Sequence, residues 1–203
     1  MILISGATGL IGGHTARILA ENGNPIRIMS RTANPNVRKS DFPDAQLVVA
    51  DFDAPDTLPD ALDGVDTLLL VSPSNPSMVR QQCNLVAAAK AKADAGEPIR
   101  LVKVSGFLTA LDSSSQSGRW HATIEAKINE ARLAMTSLRP PFFMQNLLRL
   151  RASAESEGVI RTSMANAKVA MVDARDIAAV AAQCLLDAKY AGKALVVTGP
   201  KAI

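Results

Sequence analysis

The chain opens with a short apolar run that breaks at a set of regularly spaced glycines. Residues 1–4 are apolar and rich in branched side chains, as expected of a strand buried on both faces of a sheet. Glycines follow at positions 6, 9 and 12, and apolar side chains then recur at helical spacing. This order of strand, glycine turn and helix is typical of chains in which strands and helices alternate around a parallel sheet.

The glycine turn also indicates what such a chain binds. Gly6 allows a tight turn, Gly9 a close approach of a pyrophosphate, and Gly12 close packing of helix on strand. Free N–H groups and the positive helix end then favour a phosphate at the same point. Because the repeat follows a strand and opens a helix, it has the context that dinucleotide binding requires. The predicted cofactor contacts here are Gly6, Thr8, Gly9, Leu10, Ile11 and Gly12.

The rest of the chain continues the alternation of strands and helices. Predicted strands cover residues 26–29, 46–50, 67–71, 99–104, 137–139 and 195–198, and predicted helices cover residues 56–62, 77–95, 120–135 and 173–187. Residues 152–168 are predicted to be irregular. We therefore predict an α/β, Rossmann-like, doubly wound parallel sheet with helices on both faces, in strand order 3-2-1-4-5-6 with a seventh strand. We expect one NAD(P)-binding domain over residues 1–203, with a short substrate-side region at about residues 107–120 and 140–168.

Composition argues against several classes of protein. Aromatic residues make up 3% of the chain and no Lys/Arg-rich block accompanies the net charge of +3, so we expect no direct binding of nucleic acid. Cys83 and Cys184 have no second metal ligand at useful spacing, so we expect no metal site. No apolar run approaches membrane-spanning length and the chain starts in a core strand, so we expect a cytoplasmic protein with no signal peptide. The sequence leaves open whether the chain forms a homo-oligomer.

The end of the second predicted strand indicates which dinucleotide is bound. An NAD site usually places an acid there for the ribose 2′-hydroxyl, and that acid would repel a 2′-phosphate. This chain instead has Ser30 and Arg31 at that point and Arg38 further on, with no Asp or Glu between residues 26 and 39. Since a guanidinium pairs well with a phosphate, we predict NADPH in preference to NADH. The alternative is an ordinary surface arginine.

Further candidates follow the other strands, because ligands of a doubly wound sheet lie at the carboxyl ends of its strands. Asp51 and Phe52 would flank the adenine, although Phe52 could equally be packing in the core. Ser72, Pro73 and Ser105 follow the fourth and fifth predicted strands and are expected to contact the cofactor.

One pair of residues suggests a place for chemistry. His121 and Glu125 are four residues apart on one predicted helix and so share a face. His121 could be a proton donor or a polar contact at the substrate edge of the nicotinamide. The alternative is a histidine at a helix start, paired with a carboxylate for structural reasons. We expect His14, inside the first helix, to be structural or near the surface.

Several segments together resemble the NmrA-like group of atypical short-chain dehydrogenases/reductases, over nearly the whole chain. They are Gly6-Ala-Thr-Gly9-Leu-Ile-Gly12, Ser30-Arg31, Val71-Ser72-Pro73, Val104-Ser105-Gly106, Trp120-His121 with Glu125, Leu138-Arg139-Pro140-Pro-Phe-Phe143-Met144-Gln-Asn146, Val172-Asp173-Ala-Arg-Asp176-Ile-Ala178 and Thr198-Gly199-Pro200. The resemblance implies a Rossmann-like NAD(P) domain and often a quinone- or azo-reducing activity. Phe107, His121, Phe142, Phe143 and Asn146 are then expected to line the acceptor side.

The chain departs from the resemblance in two ways. The Tyr-x-x-x-Lys pair of catalytic short-chain dehydrogenases is absent, with His121 and Glu125 at those positions. Family members also usually continue beyond the Thr198-Gly199-Pro200 segment, so the chain is either a naturally short form or lacks a substrate lid. Our leading hypothesis is an NADPH-dependent reductase that transfers a hydride to a quinone-like or other planar acceptor. The competing hypothesis is an NADP-binding redox sensor that signals through a partner protein without turnover.

Overall fold

The computed structural model describes residues 1–33, 42–159 and 167–202, so Arg38 lies outside the described residues. Within these ranges the strands are β1 (Ile2–Ile4), β2 (Ile26–Ser30), β3 (Gln46–Val49), β4 (Thr67–Leu70), β5 (Arg100–Val104), β6 (Ala134–Leu138) and β7 (Ala194–Leu195). The α-helices are α1 (Leu10–Glu21), α2 (Leu58–Leu62), α3 (Met78–Asp94), α4 (Gln116–Glu130), α5 (Arg151–Glu157) and α6 (Ala174–Leu186), and 3-10 turns cover Pro55–Thr57, Met144–Leu150 and Ala188–Tyr190.

The strands form one parallel sheet in the order β3-β2-β1-β4-β5-β6-β7. The predicted fold class and strand order, including the seventh strand, are therefore confirmed. The order reverses between β1 and β4, and a doubly wound sheet binds its ligand in the crevice at that switch point. The glycine turn after β1 lies directly at this crevice.

The sheet is covered on both faces, and alternate strand residues supply each core. On one face, Ile2 and Ile4 of β1 pack with buried residues of α1 and α6. On the other face, Leu3 packs with buried residues of α2, α3 and α4. Since successive side chains of a strand point to opposite faces, a strand buried on both faces must be apolar throughout. This explains the continuous apolar run at the start of the chain.

The helix predicted over residues 120–135 has different bounds in the structure. It starts earlier, at Gln116, and ends at Glu130, whereas Met135 lies in β6 and pairs with Leu101 of β5. Arg132 takes a left-handed φ of 57° and reverses the chain between the helix and the strand. The prediction was wrong because Met135 continues the helical spacing of the apolar residues, and the pairing of β6 with β5 overrides that local pattern.

Two smaller differences lie near the substrate side. Residues 151–157, expected to be mostly irregular, form α5, which ends at Gly158 with a left-handed φ of 67°. The last strand is the two-residue β7, which is shorter than predicted and begins one residue earlier. No helix within the described ranges is long and apolar enough to cross a bilayer.

Candidate functional site

The glycine turn after β1 leaves no space for side chains. Gly6 has a φ of +64°, and a Cβ added to it would lie 2.9 Å from the carbonyl oxygen of Val71, at the end of β4. A Cβ on Gly12 would lie 2.3 Å from the Gly6 carbonyl oxygen. Both positions therefore require glycine, one for a left-handed turn and one for close packing of α1 on the turn. The expected structural reasons for Gly6 and Gly12 are confirmed.

Buried Ser5 holds the turn at the switch point of the sheet. Its hydroxyl donates to the carbonyl of Leu69 at 2.7 Å and accepts from the backbone N–H of Val71 at 2.9 Å. These bonds join the carboxyl ends of β1 and β4, the strands between which the order reverses. The glycine turn is thus anchored on both sides before any ligand binds.

The first turn of α1 suits an anion. Gly9 is its N-cap residue, no acidic side chain lies in the first turn, and the initial N–H groups of a helix have no partner within the helix. A helix of this length presents a partial positive charge at that end. Arg17, three residues after His14 on the same helix, lines the same space, and its Nη1 lies 3.5 Å from Nδ1 of His14.

A cavity of about 890 Å³ extends from this turn along the carboxyl edge of the sheet. The predicted site residues that line it are Gly6, Thr8, Gly9, Leu10, Ile11, Gly12, Ser72, Pro73, Ser105, His121, Phe143 and Asn146. The structure thus brings the glycine turn, the loops after β4 and β5, and three of the five predicted acceptor residues to one continuous space. Six predicted residues lie outside the lining of this cavity: Ser30, Arg31, Asp51, Phe52, Phe107 and Phe142.

Two of those six, Asp51 and Phe52, follow β3, and their side chains make local contacts. The side chain of Asp51 accepts from the backbone N–H of Asp53 at 3.0 Å. Phe52 packs against the core of the second face, as its alternative interpretation expected. Its contact with an adenine therefore stays a prediction.

Arg31 is exposed beyond β2, near Asp53. The pKa of Asp53 is lowered by a hydrogen bond from Gln81 and by its ion pair with Arg80, with a further contribution from Arg31. The other residue at this end, Ser30, accepts a bond from the backbone N–H of the residue two positions on, at 3.3 Å. Arg31 therefore has an exposed guanidinium at the end where a 2′-phosphate was predicted.

The remaining two aromatic residues lie beside the acceptor end of the cavity. Phe107 is 54% exposed, and its backbone N–H donates to Pro140, which lines the cavity. Phe142 and Phe143 are successive residues of an extended segment that bonds to Val172, so their side chains point to opposite sides. Because Phe143 lines the cavity, Phe142 does not.

A buried carboxylate organises the wall of the cavity behind Ser105. Oε1 of Glu125 accepts hydrogen bonds from Ser105 at 2.6 Å and from Ser137, and Oε2 accepts from Nη2 of Arg139 at 2.5 Å. Burial raises the pKa of Glu125, but the bonds from Arg139, Ser105 and Ser137 outweigh it and lower the pKa overall. Glu125 is therefore an ionised acceptor that ties α4 to the segments that carry Ser105, Ser137 and Arg139.

A lysine that the sequence analysis did not single out lies next to this carboxylate. Lys103 of β5 is fully buried, and its Nζ donates to Ser105 Oγ at 3.0 Å and to the Val104 carbonyl at 3.2 Å. The same Nζ lies 2.9 Å from Nδ1 of His121. Burial, partly offset by Glu125, lowers the pKa of Lys103 to about 7.

His121 is held with one ring edge toward the cavity. Burial, followed by the charge of Lys103, lowers the pKa of His121 to about 3, so its ring is neutral at physiological pH. A protonated lysine can only donate, which makes Nδ1 the acceptor and leaves the ring proton on Nε2. The Cδ2 and Nε2 edge faces Gly106, where an added Cβ would lie 3.4 and 3.7 Å from those atoms. His121 can thus present an N–H group to a ligand.

A buried glutamine supports the loop after β4. Nε2 of Gln82 donates to the hydroxyl of Ser72 at 2.9 Å, while its Oε1 is buried without a partner in the described structure. This bond fixes the side chain of Ser72 at the cavity wall.

Sequence reasoning missed two cationic residues of the site, Lys103 and Arg17. The signal for Lys103 was a lysine flanked by valines in a mostly apolar strand, shortly before the Ser105-Gly106 turn. Arg17 lies four residues after Gly13, on the helix face that starts at the glycine turn.

Comparison with known proteins agrees with this architecture. The NmrA-like family model matches residues 1–203. An NAD(P)H azoreductase from Xenophilus azovorans is 37% identical over 203 residues, covering 100% of this chain and 69% of that protein.

Solved structures give the same result. An NADPH-dependent quinone oxidoreductase from Escherichia coli, complexed with NADPH, superposes with a TM-score of 0.86 at 27% identity, covering 100% of this chain and 70% of that one. A triphenylmethane reductase from Citrobacter sp., complexed with NADP(H), gives a TM-score of 0.83 at 25% identity, covering 100% and 71%. The sequence match and the shared fold lead to one conclusion: the chain belongs to the NmrA-like family.

Proposed function

We propose that this protein is an NADPH-dependent reductase that transfers a hydride to a quinone-like or other planar acceptor. The observation that carries the proposal is the continuous cavity, which joins the glycine turn before α1 to the wall formed by His121, Phe143 and Asn146. A nicotinamide and an acceptor could meet within it. The relatives named above are an NAD(P)H azoreductase, an NADPH-dependent quinone oxidoreductase and a triphenylmethane reductase complexed with NADP(H). Azo compounds, quinones and triphenylmethane dyes are all conjugated acceptors.

The residues present fit a bound dinucleotide. The crowded glycines at positions 6 and 12 leave a cradle that a Cβ would fill, and the first turn of α1 carries no acid that would repel phosphate. We assign the pyrophosphate to this turn and the 2′-phosphate to Arg31, with Asp51 and Phe52 beside the adenine. Ser72 and Pro73 would hold the nicotinamide-side ribose. Bound NADPH would supply the hydride.

The protein groups then bind the acceptor and handle the proton. Phe143 and Asn146 line the acceptor end, and we assign Phe107 to its rim. Phe142 is given no contact with the acceptor, because its side chain points away from the cavity. Reduction of a quinone or azo bond also requires a proton, and His121 presents an N–H group on this side. The missing Tyr-x-x-x-Lys pair does not preclude this chemistry, because hydride transfer depends mainly on alignment of the two reactants.

A regulatory sensor without turnover is less favoured, because the relatives are named as reductases. A regulatory partner, a homo-oligomer, a cytoplasmic location and the action of residues 1–203 as one domain all stay predictions.

Two experiments test the proposal. Quenching of the fluorescence of Trp120, the single tryptophan and a neighbour of His121, should report NADPH binding. The purified protein should then oxidise NADPH when supplied with a panel of quinones and azo dyes. Tight binding of NADPH with no oxidation by any acceptor would overturn the reductase proposal in favour of a sensor.

A further inference from the structure

Lys103 is a lysine on β5, an inner strand of the parallel sheet. Its side chain is 0% exposed and lies at the carboxyl end of β5, beneath the cavity wall. A buried ammonium is costly unless it is paired and hydrogen-bonded. Two of its three polar contacts are a carbonyl and a hydroxyl, and the third is the ring nitrogen of His121.

Titratable and charged groups face Lys103 from three elements. Cys83 faces it from α3, His121 and Glu125 from α4, and Arg139 from the segment after β6. The carboxylate of Glu125 favours the ammonium form of Lys103. It accepts its hydrogen bonds from Ser105, Ser137 and Arg139, however, and makes no direct bond to Lys103 among those described. The ammonium group of Lys103 therefore releases a proton more readily than an exposed lysine does. Nδ1 of His121 is the nitrogen atom at hydrogen-bonding distance from it.

We propose that Lys103 is a positioning residue that fixes the tautomer of His121 and passes it a proton while His121 protonates the reduced acceptor. This inference rests on the proposed reductase function and adds the source of its proton. Nδ1 of His121 faces Lys103 at 2.9 Å, and the opposite ring edge faces the cavity. The two nitrogens therefore connect a buried donor to the acceptor space.

Each proton in the relay from Lys103 through His121 to the reduced acceptor has a defined donor and a defined acceptor. A quinone or azo acceptor gains two electrons and one proton as the hydride from NADPH and becomes an anion. The Nε2–H bond of His121 breaks and its proton goes to that anion. One N–H bond of the Lys103 ammonium breaks, and its proton goes to Nδ1. His121 ends as the neutral Nδ1–H tautomer and Lys103 as a neutral amine.

The same path restores the starting state after the product leaves. A proton from bulk solvent binds Nε2 of His121, and the Nδ1 proton returns to Lys103, so each turnover consumes one solvent proton. No second reductant or oxidant is needed. Because neutral imidazole is a very weak acid, His121 could not give up its Nε2 proton at neutral pH without this simultaneous gain at Nδ1.

The relay predicts a pH dependence with a defined sign. It needs Lys103 protonated, and burial lowers the pKa of Lys103 to about 7. The rate with a quinone or azo dye should therefore fall as pH rises through about 7. A cationic triphenylmethane dye becomes neutral on gaining a hydride and needs no proton. The rate of its reduction should therefore not fall in this way as pH rises through about 7.

The first test does not depend on turnover. The chain has two histidines, so ¹⁵N NMR of the imidazole nitrogens is readily assigned with a His14→Asn variant. In the protein without ligand, His121 should be the Nε2–H tautomer with a hydrogen-bonded Nδ1. In Lys103→Met, Nδ1 should lose this hydrogen bond, and its ¹⁵N resonance should move to the position of an imidazole nitrogen that accepts no bond from the protein. An unchanged Nδ1 resonance in Lys103→Met would overturn the inference.

The second test compares acceptors in Lys103→Met, with Lys127→Met, an exposed lysine on α4, as the matched control. The Lys103 variant should reduce a quinone about 10²-fold more slowly, the size of a general acid contribution, and lose the fall in rate near pH 7. Its rate with a cationic triphenylmethane dye should stay within a few-fold. At pH 7, denaturant unfolding should show no loss of stability, since an apolar residue replaces a buried charge.

The results of these tests distinguish a failure of the proton relay from a failure of the proposed reductase function, on which the relay rests. If the unmodified protein reduces no acceptor, the proposed function fails, whatever NMR shows for His121. If it reduces quinones and Lys103→Met keeps the same rate and pH profile, the function stands and the relay is wrong. An equal loss with both classes of acceptor would also overturn the relay, because it would indicate a general structural effect.

Discussion

Removal of the buried carboxylate of Glu125 is the sharpest test of how the cavity wall is held. In Glu125→Ala, the hydroxyls of Ser105 and Ser137 and the guanidinium of Arg139 lose their common acceptor. Nearby Lys103 loses the carboxylate that offsets its burial. The variant therefore leaves two cations in the wall without a counter-charge.

The expected cost follows from the exposure of the pair. Breaking a fully buried ion pair costs about 3–5 kcal/mol. The side chain of Glu125 is 9% exposed but that of Arg139 is 28% exposed, so water can solvate Arg139 in part, and we expect about 3 kcal/mol. For a chain of this length that loss lowers the Tm by roughly 6–12 °C.

The matched control is Glu130→Ala on the same helix. Glu130 pairs with Lys127, and the two side chains are 63% and 54% exposed. An exposed pair of this kind contributes at most about 0.5 kcal/mol. Urea unfolding of both variants, followed by circular dichroism, gives the comparison directly.

The difference between the two variants should also depend on pH. Because its folded-state pKa is lowered, ionised Glu125 contributes stability above the unfolded value of 4.5, and that contribution is lost as pH falls through the folded pKa. The difference should therefore be full at pH 7 and shrink in acid. Equal stability of the two variants at pH 7, within about 0.5 kcal/mol, would refute the view that Glu125 organises the wall.

Three further predictions concern the cofactor end and Lys103. Arg31→Asp should weaken NADPH binding far more than NADH binding, as measured by fluorescence titration, and equal weakening would contradict the assignment of the 2′-phosphate. Gly12→Ala should lower stability by about 1–3 kcal/mol and abolish NADPH binding, because its Cβ would lie 2.3 Å from a backbone oxygen. Gly9→Ala, whose Cβ would lie 3.3 Å from the carbonyl oxygen of Gly6, should unfold later in urea than Gly12→Ala, and the reverse order would contradict the packing argument. Between pH 7 and 10 the unfolded chain keeps a proton on Lys103 that the folded chain releases. The free energy of unfolding of the wild type should therefore rise by up to about 1.4 kcal/mol per pH unit relative to Lys103→Met. Parallel curves of stability against pH for the two proteins would contradict the burial of a titrating amine.

The fold was largely predictable because its signals are local. The apolar run of β1 is continuous because both faces of the sheet are covered, and the glycines follow it at the spacing that a turn and a packed helix need. The helix end before β6 was not predictable in this way. Met135 has the right spacing for the helix, and only its pairing with Leu101, far away in sequence, places it in a strand.

The site was predictable in position but not in its internal connections. Residues that follow strands could be assigned to the cavity edge from topology alone, and Ser72 and Ser105 lie there. The bond between Lys103 and His121 could not, since it depends on how α4 packs against β5. A single lysine in an apolar strand was a visible signal, but the pattern alone does not show whether its amine reaches solvent or turns inward.

The central claim is that one cavity brings NADPH and a planar acceptor together for direct hydride transfer. A single-turnover experiment with excess protein, preloaded with NADPH and mixed anaerobically with a quinone, tests it most directly. We predict that one NADPH is consumed for each quinone reduced, and that deuterium at the transferred position of the nicotinamide slows both changes equally. Quinones, azo dyes and triphenylmethane dyes that all leave bound NADPH unoxidised would contradict the claim.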